Sequence, residues 1–381
     1  MLNIYASYDV FPSSKGSSTH IKEMITALAT HAEELSLLCL RGNAKLPAVQ
    51  KHDNILIKRF YSEEKLNYLE KASLFSERIY LEISQNEKEI KIAHFRDIWS
   101  GLGITAHKNI PSVFEVNALT SIELPYHYPN LTDEFLQKLK FLEQKCLDEA
   151  TVIITPSATT KKFLIAAYAV PEEKINVIPN GAYIPESFDK PEDAPDHYII
   201  YFGALQRWQG IEVLLKAMSY LKDYPDLKLL ICSSVKEKAF KPLNKLIEKL
   251  ELADRVIVKT QVQREELYNY IHFATLSIAP LKACDRNITQ GCSPLKILES
   301  MACGTALVAS DLPVVRELVS EQEAMLVEPD RELDLARSIR FLLDTPEERE
   351  ILAAKALQKM KEEFTWELQV NKLNQVYKNL T

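Results

Sequence analysis

Short apolar segments alternate with amphipathic stretches along all 381 residues, and this alternation constrains the fold more than any other feature. Such a pattern is typical of strands that alternate with helices in parallel α/β sheets. Helical spacing occurs at 19–30 and 131–149. The predicted strands of the first half are 2–6, 36–40, 55–60, 90–95, 112–116 and 151–155.

Residues 183–197 interrupt the alternation with three prolines, several acidic residues and no periodicity, which predicts a linker. The pattern then restarts. Strands are predicted at 198–202, 227–232, 255–259, 276–279 and 306–310, and helices at 211–221, 294–303, 333–343, 347–363 and 367–379. The sequence therefore predicts an N-terminal domain (1–182), the linker (183–197), a second α/β domain (198–364) and a C-terminal helix (365–381).

Composition narrows the functional classes. The formal net charge of −7 disfavours nucleic acid as a partner. Six cysteines without a C-x-x-C pair suit a reducing compartment, and we find no apolar run of the roughly 20 residues that cross a bilayer. With no signal peptide ahead of the first strand, we expect a cytoplasmic protein. Basic stretches at 58–92 and 161–168 leave a peripheral contact with the inner face of a membrane open, although a solvated helix face is the simpler explanation of them.

The segment 290–311 carries the most chemical information. Ser293 suits an N-cap, Pro294 the first helical position, and Gly304 the position that ends the helix. A helix N-terminus preceded by Gly291 presents backbone N–H groups to an anion. Lys296 lies in the first turn, and Glu299 follows on the same face at i, i+3. Its carboxylate is suited to accept hydrogen bonds from the hydroxyls of a ribose. The alternative is that Lys296 and Glu299 form a solvated ion pair on a capped helix.

This segment resembles the donor-binding motif of family 4 glycosyltransferases. Glu299 matches the second glutamate of the family's E-x7-E motif, whereas the position of the first is Gly291. The segments 11–20, 177–182, 311–318 and 365–366 are similar to further parts of the family pattern. The resemblance implies the GT-B fold, in which two Rossmann-like, doubly wound parallel-sheet domains face each other across a cleft, and a final helix that crosses back to the N-terminal domain.

The resemblance also implies a nucleotide-diphosphate-sugar donor held mainly by the second domain. We expect its contacts from Gly16, Gly203, Arg207, Gly291, Ser293, Pro294, Leu295, Lys296 and Glu299. In the register of the family's G-R-L and K-G motifs, Ala204 and Gln209 replace the usual Arg and Lys. Because a diphosphate leaving group needs its charge stabilised, we expect Arg207 to act from a shifted position with Lys296, Lys282 or Arg286. The alternative is a degenerate donor site.

The acceptor is expected to bind the N-terminal domain. His94 and Arg96 match the region where the family places a polar group beside the donor sugar, so the predicted catalytic set is His94, Arg96, Arg207 and Lys296. Asp97, Glu115, Asn117 and Glu123 cluster in loops after neighbouring strands and are candidates for the acceptor pocket. For each of these four, a structural hydrogen-bonding role is the alternative.

The resemblance implies a retaining hexosyltransferase that uses front-face substitution, in which the departing phosphate takes the proton of the attacking hydroxyl. We expect a UDP-sugar donor, a glycan, lipid-linked or small-molecule acceptor, and no metal or other cofactor, since no D-x-D motif follows a strand. Alternatives are a nucleotide-sugar epimerase of the same fold and a non-catalytic nucleotide-sugar-binding protein. A NAD-dependent oxidoreductase is disfavoured because G-x-G-x-x-G does not occur.

Overall fold

Two separate sheets account for the alternation of strands and helices. The computed structural model describes residues 1–13, 16–42, 46–61, 65–233 and 240–380. Unit 1 contains Met1–Pro179, Gln290–Cys292 and Gln369–Thr381. Unit 2 contains Asn180–Thr289 and Ser293–Leu368.

The sheet of unit 1 has the strand order β3-β4-β2-β1-β5-β6-β7-β8 and is parallel except for the pair β3–β4. The strands are β1 Leu2–Val10, β2 Glu34–Leu40, β3 Val49–His52, β4 Ile55–Phe60, β5 Ile90–Phe95, β6 Ser112–Glu115, β7 Val152–Thr155 and β8 Ile175–Val177. The strand order reverses between β1 and β5, and in such sheets ligands gather beyond the carboxyl ends of the strands at this point.

The helices of unit 1 cover its sheet. They are α1 Gly16–Ala29, α2 Tyr68–Asn86, α3 Ile98–Thr105, α4 Thr120–His127, α5 Asp133–Glu149 and α6 Ala158–Tyr168. The core forms where strand residues such as Ile4 and Phe95 pack against Phe75 and Ile79 of α2. Side chains of this size, once buried, each stabilise the fold by roughly 1.5–3 kcal/mol.

The sheet of unit 2 is wholly parallel, with the order β11-β10-β9-β12-β13-β14. Its strands are β9 Tyr198–Phe202, β10 Lys228–Ser233, β11 Val256–Thr260, β12 Leu276–Ala279, β13 Leu307–Ser310 and β14 Met325–Val327. The helices are α7 Ile211–Ser219, α8 Lys241–Lys249, α9 Arg264–His272, α10 Leu295–Ala302, α11 Pro313–Arg316, α12 Glu332–Asp344 and α13 Pro346–Glu363. All five residues of β9 are buried, as expected of a central strand covered on both faces.

Residues 183–197 belong to unit 2. There Phe188 stacks on His272 with ring centres 3.9 Å apart, and the Asp193 carboxylate accepts hydrogen bonds from Tyr270 and Lys259. The last helix, α14 Trp366–Lys378, begins in unit 2 and continues into unit 1, where the Tyr377 hydroxyl lies 2.7 Å from His94 Nδ1. None of the helices in the described part of the chain is long and apolar enough to span a membrane.

Candidate functional site

The loop after β9 leaves the point in unit 2 where the strand order reverses. Gly203 has φ +114° and Gly210 has φ +70°, both in the left-handed region that favours glycine. A Cβ at Gly210 would lie 1.7 Å from the carbonyl oxygen of Pro280, which follows β12. Loop 203–210 is therefore held closely against the end of β12, and Gly210 is required for that approach.

Trp208 anchors the middle of this loop. Its side chain is buried, and its carbonyl oxygen accepts hydrogen bonds from Asn287 Nδ2 and the Lys282 amide, each at 3.0 Å. The Arg286 guanidinium lies 5.0 Å from the centre of a Trp208 ring, at a distance for cation–π attraction. Arg286 is thus held beside the loop in which the family's usual cations are replaced.

The other candidate cations of unit 2 occupy different environments. Arg207 is exposed on the short 3₁₀ turn Arg207–Gln209, and Lys282 lies 3.5 Å from Asp330. Lys296 is buried on α10, with Nζ 4.1 Å from the centre of the Tyr201 ring. Its side chain also approaches Gly203, where an added Cβ would lie 3.8 Å from Lys296 Cε. Lys296 and the start of loop 203–210 therefore lie side by side.

Glu299 follows on α10, one turn after Lys296. Its carboxylate is partly exposed and has no hydrogen-bond or ion-pair partner among the described residues. Burial raises the pKa of Glu299 to about 7, although the nearby charges of Arg264 and Lys296 oppose that rise. A carboxylate without protein donors is chemically suited to accept hydroxyl hydrogens from a ligand.

The start of α10 differs from the sequence prediction. Pro294, not Ser293, is the N-cap residue, and no side chain caps the helix. The Ser293 hydroxyl instead accepts a hydrogen bond from the Asn180 amide at 3.1 Å, and Asn180 Nδ2 donates to the Ser293 carbonyl at 2.7 Å. The predicted N-cap was wrong because a tertiary contact uses the hydroxyl. The predicted end is confirmed, since Gly304 has φ +65° directly after the C-cap Cys303.

Gly291 is required by packing within unit 1. It has φ +86°, and an added Cβ would lie 2.6 Å from both Ser157 Oγ and Thr160 Oγ1. Ser157 caps α6 by accepting from the Thr160 amide at 3.0 Å. The structure therefore leaves no room at position 291 for the first glutamate of the E-x7-E motif.

In unit 1, Glu115 at the end of β6 is the centre of a buried hydrogen-bond network. Its Oε2 accepts from Tyr5 Oη at 2.8 Å and lies 3.1 Å from His94 Nε2. Its Oε1 lies 3.1 Å from His20 Nδ1 and 3.4 Å from Arg96 Nη1, and it also accepts from Asn117 Nδ2. Burial opposes ionisation of Glu115, but the charges and hydrogen bonds of His20, Arg96 and His94 outweigh it and hold its pKa well below the usual range.

His94 and Arg96 lie on β5, next to Glu115. His94 is fully buried, and burial lowers its pKa although Glu115 opposes the effect. The Arg96 guanidinium also lies 3.4 Å from Asp9. Burial disfavours its charge, yet Glu115, Tyr5 and Asp9 together raise the pKa of Arg96. Arg96 therefore stays cationic between two carboxylates.

Four of the predicted residues of unit 1 are brought together around one pocket. Glu115 and Asn117 line this small pocket with His20, and the side chains of His94 and Arg96 contact Glu115. His20, which α1 carries to Glu115, was not predicted from the sequence. A single histidine on an amphipathic helix gives no signal from sequence spacing alone.

Other predicted residues lie elsewhere. Asp97 is the N-cap of α3 and accepts hydrogen bonds from the Ser100 amide at 2.9 Å and the Tyr8 amide at 2.6 Å. Burial raises the pKa of Asp97 to about 6, although these bonds oppose the rise. Glu123 lies in the first turn of α4, and neither acid lines the pocket beside Glu115. Gly16 is exposed at the start of α1.

Comparison with known proteins identifies the family. A model described as glycosyl transferases group 1 matches residues 184–359, and a model described as glycosyltransferase family 4 matches residues 14–183. The chain belongs to the family 4 glycosyltransferases. Its two parallel-sheet α/β units are those of the GT-B fold, as predicted.

Two curated relatives of this glycosyltransferase illustrate the range of the family. The O-antigen chain mannosyltransferase RfbU of Salmonella typhimurium is 26% identical over 245 residues, which are 64% of this chain and 65% of the relative, slightly under two thirds of its length. The D-inositol 3-phosphate glycosyltransferase of Pseudarthrobacter chlorophenolicus is 23% identical over 365 residues, covering 88% of this chain and 83% of the relative.

Solved structures show the same fold at lower identity. Sucrose-phosphate synthase from Thermosynechococcus elongatus superposes with a TM-score of 0.81 at 19% identity, covering 100% of this chain and 99% of the other. Anabaena HepE in complex with UDP-glucose gives a TM-score of 0.78 at 16% identity, with 100% of both chains covered. Within the described residues of our glycosyltransferase, no group of three or more His, Cys, Asp or Glu side chains is arranged to hold a metal ion.

Proposed function

We propose that this glycosyltransferase moves a hexose from a UDP-sugar to a hydroxyl acceptor with retention of the anomeric configuration and without a metal ion. The observation that carries the proposal is the Glu299 carboxylate on α10, which has no hydrogen-bond donor among the described residues and is chemically suited to accept hydrogen bonds from the hydroxyls of the donor ribose. The solved complexes of HepE with UDP and with UDP-glucose support the choice of nucleotide.

The diphosphate is assigned to the start of α10 and the adjoining loop 203–210. The first amides of α10 have no side-chain cap, and the N-terminus of a helix favours an anion. Lys296, Arg207 and Arg286 are the cations proposed to stabilise the leaving diphosphate in place of the residues lost at Ala204 and Gln209. In the front-face substitution proposed here, the C1–O bond to phosphate breaks, the acceptor oxygen bonds to C1, and the phosphate takes the acceptor proton.

The acceptor is assigned to the pocket beside Glu115. The proposed product is a cell-surface glycan, a glycolipid or a small glycoside. The name of the mannosyltransferase relative supports a glycan acceptor. All six cysteines are free thiols, which supports the cytoplasmic location expected from the sequence.

Calorimetric titration of the full chain with UDP, GDP, ADP and UDP-glucose tests the donor assignment. We expect selective binding of UDP and UDP-glucose, a loss of tenfold or more in affinity for Glu299→Gln, and no effect of EDTA. Glu248→Gln, an exposed carboxylate on α8, is the matched control. Equal affinity of wild type and Glu299→Gln would refute the ribose role, and absence of binding by every nucleotide would favour a degenerate site. Coupling constants of the anomeric proton in a transfer product then test retention.

A further inference from the structure

Asn180 holds Ser293 at two points. The Asn180 amide donates to the Ser293 hydroxyl at 3.1 Å, and Asn180 Nδ2 donates to the Ser293 carbonyl at 2.7 Å. Both residues belong to unit 2, and both are more than nine-tenths buried. Because 113 positions separate them, these bonds fix one segment of the chain against another and do not shape a local turn.

The segment that carries Asn180 is itself anchored within unit 2. The Ala182 amide donates to the Phe364 carbonyl at 3.1 Å, and the Trp366 amide donates to the Ala182 carbonyl at 3.3 Å. An added Cβ at Gly181 would lie 2.7 Å from the Trp366 nitrogen and 2.8 Å from its Cα. This segment is therefore packed backbone against backbone, and Asn180 lies on a fixed support.

Ser293 determines how α10 begins. It directly precedes Pro294, the N-cap residue, which has φ −69°. A proline ring locks φ near this value and also restricts the residue before it to extended backbone. With the hydroxyl and the carbonyl of Ser293 both held, the chain keeps little freedom before the first helical residue, Leu295. The first amides of α10, which no side chain caps, therefore point in a direction that Asn180 sets.

The side-chain amide of Asn180 is only half satisfied. Since the Ser293 carbonyl can only accept, the nitrogen of the Asn180 amide faces it and Oδ1 points elsewhere. Oδ1 is buried and has no hydrogen-bond partner among the described residues. A buried acceptor without a donor costs free energy, and this cost offsets much of what the Nδ2 bond contributes to stability. Removal of the side chain should therefore disturb the start of α10 more than it disturbs the fold.

We propose that Asn180 is a positioning residue for the diphosphate of the donor: through Ser293 it fixes the direction in which the first amides of α10 meet the phosphate oxygens. The inference rests on the function proposed above, which assigns the diphosphate to the start of α10. Amides stabilise a diphosphate best when they already point at its oxygens, because turning them costs free energy. Since Lys296 follows on the same helix and approaches Gly203, a shift of the helix start would also move this cation relative to loop 203–210.

Calorimetric titration of the full chain with UDP and with uridine separates the phosphates from the rest of the nucleotide, with weak uridine binding measured by competition with UDP. We expect Asn180→Ala to weaken UDP binding about tenfold and to leave uridine binding unchanged. Ser293→Ala, which removes only the hydroxyl, should weaken UDP binding about threefold. Asn269→Ala is the matched control. Its Oδ1 accepts from the Asp189 amide at 3.2 Å in the same unit, and its loss should change neither affinity.

Two results would overturn the positioning role while leaving the proposed function intact. They are equal UDP affinity in wild type and Asn180→Ala, and an equal loss of affinity for UDP and uridine, which is the result of damage to the whole site. Absence of UDP binding by the wild type would overturn the proposed function and, with it, the role of Asn180 toward a diphosphate.

Hydrogen exchange of the ligand-free protein tests the physical step separately. The peptide that contains residues 293–298 should exchange at least about threefold faster in Asn180→Ala than in the wild type or Asn269→Ala, because the start of α10 is no longer held. Unchanged exchange would overturn the claim that Asn180 fixes this segment. Should Asn180→Ala not fold, Ser293→Ala carries both measurements, with the same directions expected.

Discussion

Gly291 packs so closely against Thr160 that an added Cβ at position 291 would lie 2.6 Å from the Thr160 hydroxyl and 2.7 Å from its amide nitrogen. The close approach involves backbone, which cannot move aside as a flexible side chain can. A motif position that carries a glutamate elsewhere in the family is therefore tied here to the N-terminus of α6.

We expect Gly291→Ala to lower the free energy of unfolding by about 3 kcal/mol, because it combines a steric clash with a positive φ. Gly304→Ala is the control: its φ is +65°, but the nearest atom to the added Cβ is Leu357 Cδ2 at 3.7 Å. Gly304→Ala should lower the free energy of unfolding by about 1 kcal/mol. Urea unfolding measures both. Gly291→Glu should not strengthen UDP-glucose binding, and a gain in affinity would contradict this account of the site.

Glu115→Gln should destabilise the protein by about 3 kcal/mol at pH 7, because it leaves the buried Arg96 without its main counter-charge and aims amide hydrogens at donors. The pKa of Glu115 is depressed in the folded state, so its contribution is present above the unfolded value of about 4.3 and is lost as pH falls toward the folded pKa. The gap between wild type and variant should therefore shrink from pH 5 to pH 3. Chemical unfolding across that range checks this, with exposed Glu134→Gln showing no comparable gap.

Binding of UDP-glucose should weaken as pH falls from 8 to 6. Because the pKa of Glu299 is about 7, only about a tenth of the carboxylates are ionised at pH 6, and an approximately tenfold loss of affinity is expected if the ionised form accepts the ribose hydroxyls. The diphosphate of UDP-glucose has no proton that titrates near neutrality. Calorimetry of wild type and Glu299→Gln decides the matter, since the variant should lack this pH dependence.

The same residue should make the protein less stable at higher pH. A carboxyl whose pKa is raised on folding keeps a proton that the unfolded chain has lost, so stability falls as pH rises from about 4.5 through 7. Glu299→Gln should accordingly be more stable than the wild type at pH 8, with a smaller difference at pH 5. Equal stability of Glu299→Gln and the wild type at pH 8 would show that burial does not destabilise the ionised carboxylate of Glu299.

Asp97→Ala should lower stability by about 1–3 kcal/mol, because the Ser100 and Tyr8 amides both lose their acceptor. Per folded molecule, KM and kcat should stay unchanged, which thermal unfolding and kinetics test together. Asn67→Ala, which removes the exposed N-cap of α2, is the control and should cost about 1 kcal/mol with equally little effect on activity. A specific loss of kcat in Asp97→Ala would restore this residue to the acceptor site.

Local chemistry allowed much of the fold to be predicted from the sequence. The strands Ile55–Phe60 and Ile90–Phe95 agree at both ends because each begins and ends on an apolar residue and follows a polar one. Helix α2 was not predicted, since its outer face exposes Tyr80 and Leu81 and blurs the helical pattern. The short strands Val49–His52 and Ile175–Val177 were also missed, because pairing with a neighbour defines them more than their own composition does.

Residues of the candidate site were likewise predicted where their signal is local in the sequence and missed where it depends on the fold. Glu299 was found because its motif is contiguous in the sequence, and its role as a ribose ligand stays a prediction. His20 and Tyr377 were missed because only the fold places them around Glu115 and His94. Ser293 was misassigned for a related reason: its partner Asn180 lies 113 positions away. Helix propensity contains no information about contacts at that range.

The contact between His94 and Tyr377 has a consequence for synthesis of the protein, since 283 positions separate the two residues. A ribosome that has produced the whole of β1–β8 has still not made the phenol that completes the interior of unit 1. Until the second unit has been translated, the nascent N-terminal half lacks the contact between His94 and Tyr377. Final closure of the first unit therefore follows translation of the second unit, and expression of residues 1–179 alone would yield a domain that lacks this contact.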